Sequence, residues 1–102
     1  MILATCLRRF CGTNGALPVE TAMACDLPTV LAPGVVVVFQ DGSGVAVVSA
    51  VLFSAWPSPR PPGIYPGAVG VRFADEPAEC LTAALAAGWV QLEAGATAAW
   101  PA

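Results

Sequence analysis

The chain contains no histidine and no lysine; its basic side chains are Arg8, Arg9, Arg60 and Arg72. Without histidine no Ser-His or Cys-His nucleophile pair exists, and the commonest general base and metal ligand are missing. The net charge is −3. Four scattered arginines do not make the clustered basic surface that neutralises phosphates, so a nucleic-acid polymer is not the expected partner. Charge of either sign is scarce, at 11% of residues, where an ordinary domain carries about a quarter. A surface so poor in charge leaves apolar patches, and such patches mark interaction sites. A protein partner or self-association is therefore expected. No apolar run approaches the ~20 residues that span a bilayer, so no membrane span is expected. The opening residues M-I-L-A-T-C-L-R-R-F place the arginines after the apolar residues, the reverse of a secretory signal. The expected location is cytoplasmic.

What is present fits one small domain. The 102 residues suffice for one core and not two. Cys6, Cys11, Cys25 and Cys80 allow three disulfide pairings in a secreted chain. With no export signal they read instead as reduced thiols that pack like small hydrophobes. Cys6 and Cys11 are spaced C-x4-C with no second close pair, which is a poor zinc pattern.

Along the chain, Ile2, Leu3, Leu7 and Phe10 fit one face of a short helix or a lead-in strand. Gly12, Asn14 and Gly15 end that segment in a tight turn. Residues 16–23 partly alternate, and Pro18, which cannot donate to a ladder, makes them an edge strand or the start of one. Pro33-Gly34 is a turn signal. Val35 to Gln40 is β-branched and apolar and predicts a well-covered strand. Asp41-Gly42-Ser43-Gly44 is a hairpin loop; lacking Lys and sitting between strands, it is not a phosphate loop. Val45 to Trp56 returns as a longer strand, with Val47, Val51 and Phe53 on one face and Val48, Leu52 and Trp56 on the other. Both faces are apolar, so this strand is covered on both sides or lies against a partner.

Residues 57–67 are proline-rich and extended, with Arg60 and Tyr65 as a candidate recognition surface. Ala68 to Phe73 alternates as a last strand. Asp75 then reads as an N-cap, with Glu76 and Glu79 at the positive end of a helix dipole, an adequate account of a carboxylate cluster that otherwise suggests acid–base chemistry. The helix is predicted from 76 to 87, with Pro77 in its first turn, Leu81 and Leu85 packed on the sheet and Gly88 as its C′ residue. Trp89, Val90 and Leu92 extend the contact. The domain is predicted over 1–92, with 93–102 a disordered, alanine-rich tail.

The segments G-A-L-P-V-E-T (15–21), P-G-V-V-V-V-F (33–39), D-G-S-G-V-A-V-V-S-A-V (41–51) and Y-P-G-A-V-G-V-R-F-A-D (65–75), with the proline-rich loop and the helix, resemble the PilZ domain. The similarity covers roughly residues 12–88, and G-V-R-F before an acidic helix start is its most specific piece. The resemblance implies a mainly β fold, a small six-stranded antiparallel β-barrel with one C-terminal α-helix. It also implies cyclic di-GMP as a ligand, held by an Arg-x-x-x-Arg motif and an Asp/Asn-x-Ser-x-x-Gly motif. Setting the second motif on Gly15 puts Gly12 at the serine position and Phe10 at the acidic one, so Gly15 alone matches. Arg8 and Arg9 form a basic pair, but Gly12 and Thr13 stand where the following arginine belongs. Arg8, Arg9 and Gly15 are thus the candidate ligand-binding residues, and no catalytic residue, metal or cofactor is expected.

Each missing charge-assisted hydrogen bond to phosphate forfeits about 1.5–3 kcal/mol. The expected function is therefore a non-enzymatic signalling adaptor acting by protein–protein interaction, with weak or no cyclic di-GMP binding. The alternative is a genuine cyclic di-GMP receptor using Arg8 and Arg9 in an unusual arrangement. Family members without the motifs act in type IV pilus or motility systems, a setting the resemblance permits. A small metal-independent enzyme, or half of a vicinal-oxygen-chelate fold similar to V-R-F-A-D…L-T-A-A-L-A-A-G, ranks last: that fold needs His or Glu ligands on strands, and only Glu20 stands on one.

Overall fold

The computed structural model of the chain describes residues 2–12, 18–55, 62–63 and 67–95. Strands β1 (Ile2–Cys11), β2 (Val19–Leu27), β3 (Val36–Phe39), β4 (Gly44–Ala55), β5 (Gly67–Phe73) and β6 (Glu76–Pro77) are followed by a 3₁₀ turn (Ala78–Cys80), helix α1 (Leu81–Ala86) and β7 (Val90–Gln91). The fold is mainly β with one short C-terminal helix. Its strands form one open, curled sheet in the order β3-β4-β5-β1-β2-β7, with β6 also paired to β1. The sheet is mixed, where an antiparallel barrel was expected. β5 returns beside β1 in the same direction, placing Ala4 opposite Val69 and Cys6 opposite Val71.

The segment hardest to read in the sequence is the centre of this sheet. β1 has β2 on one side and β5 and β6 on the other. Its even positions Ala4, Cys6, Arg8 and Phe10 all lie in the core, because successive side chains of a strand alternate between faces. Across the sheet Val48, Val71 and Phe73 join the same side, with Phe39 and Trp89 closing it. Phe39 stands edge-on to both Phe73 and Trp89, with ring centroids 5.2 Å apart in each pair. Edge-to-face rings of this kind contribute about 0.5–1.5 kcal/mol per pair beyond the area they bury.

Several local expectations change. The register of β4 shifts between Val48 and Ala50, so Val48 faces Phe73 and Val51 faces Val71. One extra residue reverses the alternation. Val47 therefore leaves the face of Val51 and Phe53 that unbroken periodicity gives it. β3, expected to be covered, is the end strand of the sheet, with Val36 and Val38 exposed. Residues 76–77 pair with Phe10 and Cys11 instead of starting a helix, which shortens α1 at its N-terminal side. α1 seats Ala84 fully and Leu81 partly, while Leu85 is exposed. Its end follows the expectation: Gly88 has φ +103°, and the amides of Gly88 and Trp89 bond the carbonyls of Leu85 and Ala84, a Schellman cap. That cap turns Trp89 into the core. Gly15, Arg60, Tyr65 and the tail beyond Gly95 lie outside the described residues.

Candidate functional site

Arg8 is the most completely enclosed charged residue described, with 1% of its surface accessible. Its Nε and Nη2 donate to the two carboxylate oxygens of Glu76 at 2.8 and 2.6 Å. Nη1 donates to Ser43 Oγ at 2.7 Å and Nη2 to the Ser43 carbonyl at 3.1 Å. The guanidinium carbon lies 4.3 Å from the centroid of Phe39, 4.8 Å from Trp89 and 5.2 Å from Phe10. A buried cation survives only when paired and hydrogen-bonded, and here a fork-to-fork carboxylate and three rings supply both conditions.

The hairpin loop is the second half of this cluster. Asp41 accepts from the Ser43 amide at 2.8 Å and from Trp89 Nε1 at 3.1 Å. Burial opposes its charge, but the bonds from Ser43 and Trp89 outweigh that and hold its carboxyl below the usual range. Gly44 has φ +125°, a conformation that L side chains rarely adopt, and a Cβ there would stand in ordinary contact with Arg8 Nη2 at 3.6 Å. One four-residue turn thus ties β1, β6 and the C-terminal segment together. The reading of Glu76 as a helix-dipole acid is corrected: it is the counter-ion of Arg8, brought there by β6.

The candidate pair Arg8 and Arg9 is split by the alternation of β1. Arg9 faces the opposite side, where its Nε donates to Asp75 Oδ1 at 2.8 Å. Asp75 also accepts from Cys11 Sγ at 3.4 Å. The bond from Arg9 holds the Asp75 carboxyl below its ordinary range and pushes the Arg9 guanidinium up. Arg72 lies on that same side, with Nη1 donating to Glu20 Oε1 at 3.3 Å. The structure therefore does not bring Arg8 and Arg9 together on one surface, and Arg8 reaches no solvent to meet a phosphate.

On the core side, Cys6 and Cys25 are diagonal neighbours across β1 and β2. Their interaction, together with burial, pushes the Cys6 thiol up; the same interaction lowers the Cys25 thiol against the opposing effect of burial. Among the described residues no three His, Cys, Asp or Glu side chains gather as a metal-ligand group. A depression of about 70 Å³ lined by Thr5, Leu52, Ser54, Ala68, Val69 and Gly70 is far smaller than the few hundred Å³ of a small-molecule pocket. No helix among the described residues is long and apolar enough to cross a membrane.

The β3–β4 hairpin also presents an apolar surface. Val36 opposes Val47 and Val38 opposes Val45 across β3 and β4, and these side chains are 59, 41, 60 and 54% exposed. They share the face opposite Val37, Phe39, Ala46 and Val48. The sequence signals it only as two valine runs flanking a turn. The chain matches no family model, no curated protein and no solved structure.

Proposed function

We propose that the chain is a non-enzymatic adaptor module, PilZ-like in the order of its strands and helix, that works by protein–protein contact and binds cyclic di-GMP weakly or not at all. The exposed valine face of the β3–β4 hairpin carries this reading: four β-branched side chains in two cross-strand pairs stand in water. A contiguous apolar patch of this kind marks an interaction surface. The enclosure of Arg8 supports the second half of the reading. To meet a phosphate, Arg8 would have to abandon Glu76, Ser43 and three aromatic rings, exchanging satisfied bonds for new ones at no net gain.

Calorimetric titration of cyclic di-GMP into the purified chain tests the reading. No saturable heat is expected in the micromolar range. Micromolar binding that disappears in an Arg8→Ala/Arg9→Ala double variant that keeps the circular dichroism of the wild type would establish the receptor alternative instead.

A further inference from the structure

We infer that Cys6 and Cys25 form a redox-active dithiol, whose sulfurs join in a reversible disulfide when the folded chain meets a hydroperoxide. The inference is independent of the adaptor reading. β1 and β2 run antiparallel, with Cys6 opposite Met23 and Ala4 opposite Cys25. Both cysteines therefore stand on the core face, one diagonal step apart. The Cys25 side chain leans along its strand toward Cys6: its Sγ lies 3.8 Å from the carbonyl oxygen of Met23, the residue that faces Cys6.

The pair is also asymmetric. Cys6 is fully buried, while Cys25 is partly exposed. Interaction with Cys6 lowers the Cys25 thiol against the opposing effect of burial, and Cys6 keeps its proton. Cys25 is thus the thiolate that an oxidant reaches, and Cys6 the thiol held beside it. Neither other cysteine has this arrangement. Cys11 stands on the opposite face of β1, and burial and Asp75 push its thiol up. Cys80 follows β6, which meets β1 at Phe10 and Cys11, beyond Arg8 from Cys6.

The Cys25 thiolate attacks one oxygen of the hydroperoxide. The O–O bond breaks, the leaving oxygen takes up the proton that Cys25 released, and Cys25 becomes a sulfenic acid. The Cys6 sulfur then attacks the Cys25 sulfur: the S–S bond forms, the S–O bond breaks, and the departing hydroxide leaves as water with the Cys6 proton. The two thiols together lose two electrons and two protons, and the hydroperoxide is reduced to an alcohol and water. Diagonal neighbours stand about 7–8 Å apart at Cα, and a disulfide spans at most about 6.8 Å, so the bond draws β1 and β2 together by roughly 1 Å. A disulfide that strains its strands is readily reduced, which makes the pair reversible.

The reduced, purified full chain treated with hydrogen peroxide, alkylated and mapped without reduction tests the pair. A linked Cys6–Cys25 peptide is expected from the folded chain, reversed by reduced glutathione, with Cys25 consumed at least about tenfold faster than Cys11. In Cys6→Ala, which lacks the second thiol, the sulfenic acid should persist at position 25 and be trapped by dimedone. Should that variant not fold, the wild-type map decides alone. The inference is overturned if both thiols survive peroxide, if Cys25 proceeds to sulfinic acid without linking, or if the link forms only when peroxide is added to the urea-unfolded chain.

Discussion

Replacing Glu76 by alanine removes the carboxylate that accepts two of the guanidinium bonds of Arg8. The cation stays where it is, at 1% exposure among Phe10, Phe39 and Trp89. Breaking a buried ion pair from one side costs about 3–5 kcal/mol, because the surviving charge is left uncompensated. Set against the ~5–15 kcal/mol of a whole domain, that is a large fraction of the stability. At roughly 4–8 °C per kcal/mol for a domain near this size, the melting temperature should fall by at least about 12 °C. Arg8→Met/Glu76→Leu removes both charges and should be more stable than Glu76→Ala by about 2 kcal/mol or more, since apolar replacement of a buried pair is often neutral. Recovery stays incomplete, because Ser43 loses the donors that satisfy its hydroxyl and carbonyl, at about 1–3 kcal/mol. Thermal and urea unfolding followed by circular dichroism measure all of these. A Glu76→Ala variant that melts within about 4 °C of the wild type would refute the claim that Arg8 and Glu76 organise the core.

The same cluster and its neighbours yield further expectations. Gly44→Val forces a β-branched residue to φ +125° beside Arg8, and unfolding should show a loss of at least about 1–3 kcal/mol. Trp89→Phe keeps an aromatic ring but loses the indole bond to Asp41 and part of the buried volume, lowering stability by at least about 1 kcal/mol in the same assay. Asp41 and Asp75 both ionise more readily when folded than their ordinary value of 3.8. Their contribution is therefore full above that value and is lost as pH falls through the lower folded values. Melting temperature should drop on acidification below pH 3.8, and Asp41→Asn should flatten that drop. In native alkylation read by mass spectrometry, Cys25, partly exposed and with its thiol lowered by Cys6, should react while fully buried Cys6 does not.

The strands that could be read from the sequence were those whose signal is local. Val35 to Phe39, the Asp41–Gly44 turn and the return strand announce themselves by β-branching and turn chemistry, and Gly88 marks its own cap. β1 was obscured because Arg8 and Arg9 interrupt its apolar pattern, and a core arginine becomes intelligible only beside Glu76, 68 positions away. The register shift at Val48 and Ala50 leaves no compositional mark, yet it decides which valines face water. Glu76 misled for a related reason: an acid before a helical pattern looks like a dipole partner until β6 pairs it with β1. The candidate site fared likewise. Adjacent arginines look like one basic pair in the sequence, but strand alternation sends them to opposite faces.

A photo-reactive residue at position 38, compared with one at Ala24, an exposed position on β2, addresses the central claim in cells expressing the chain. The account predicts a discrete protein adduct from position 38 and none from position 24. Equal adducts from both positions, or none from position 38, would contradict it.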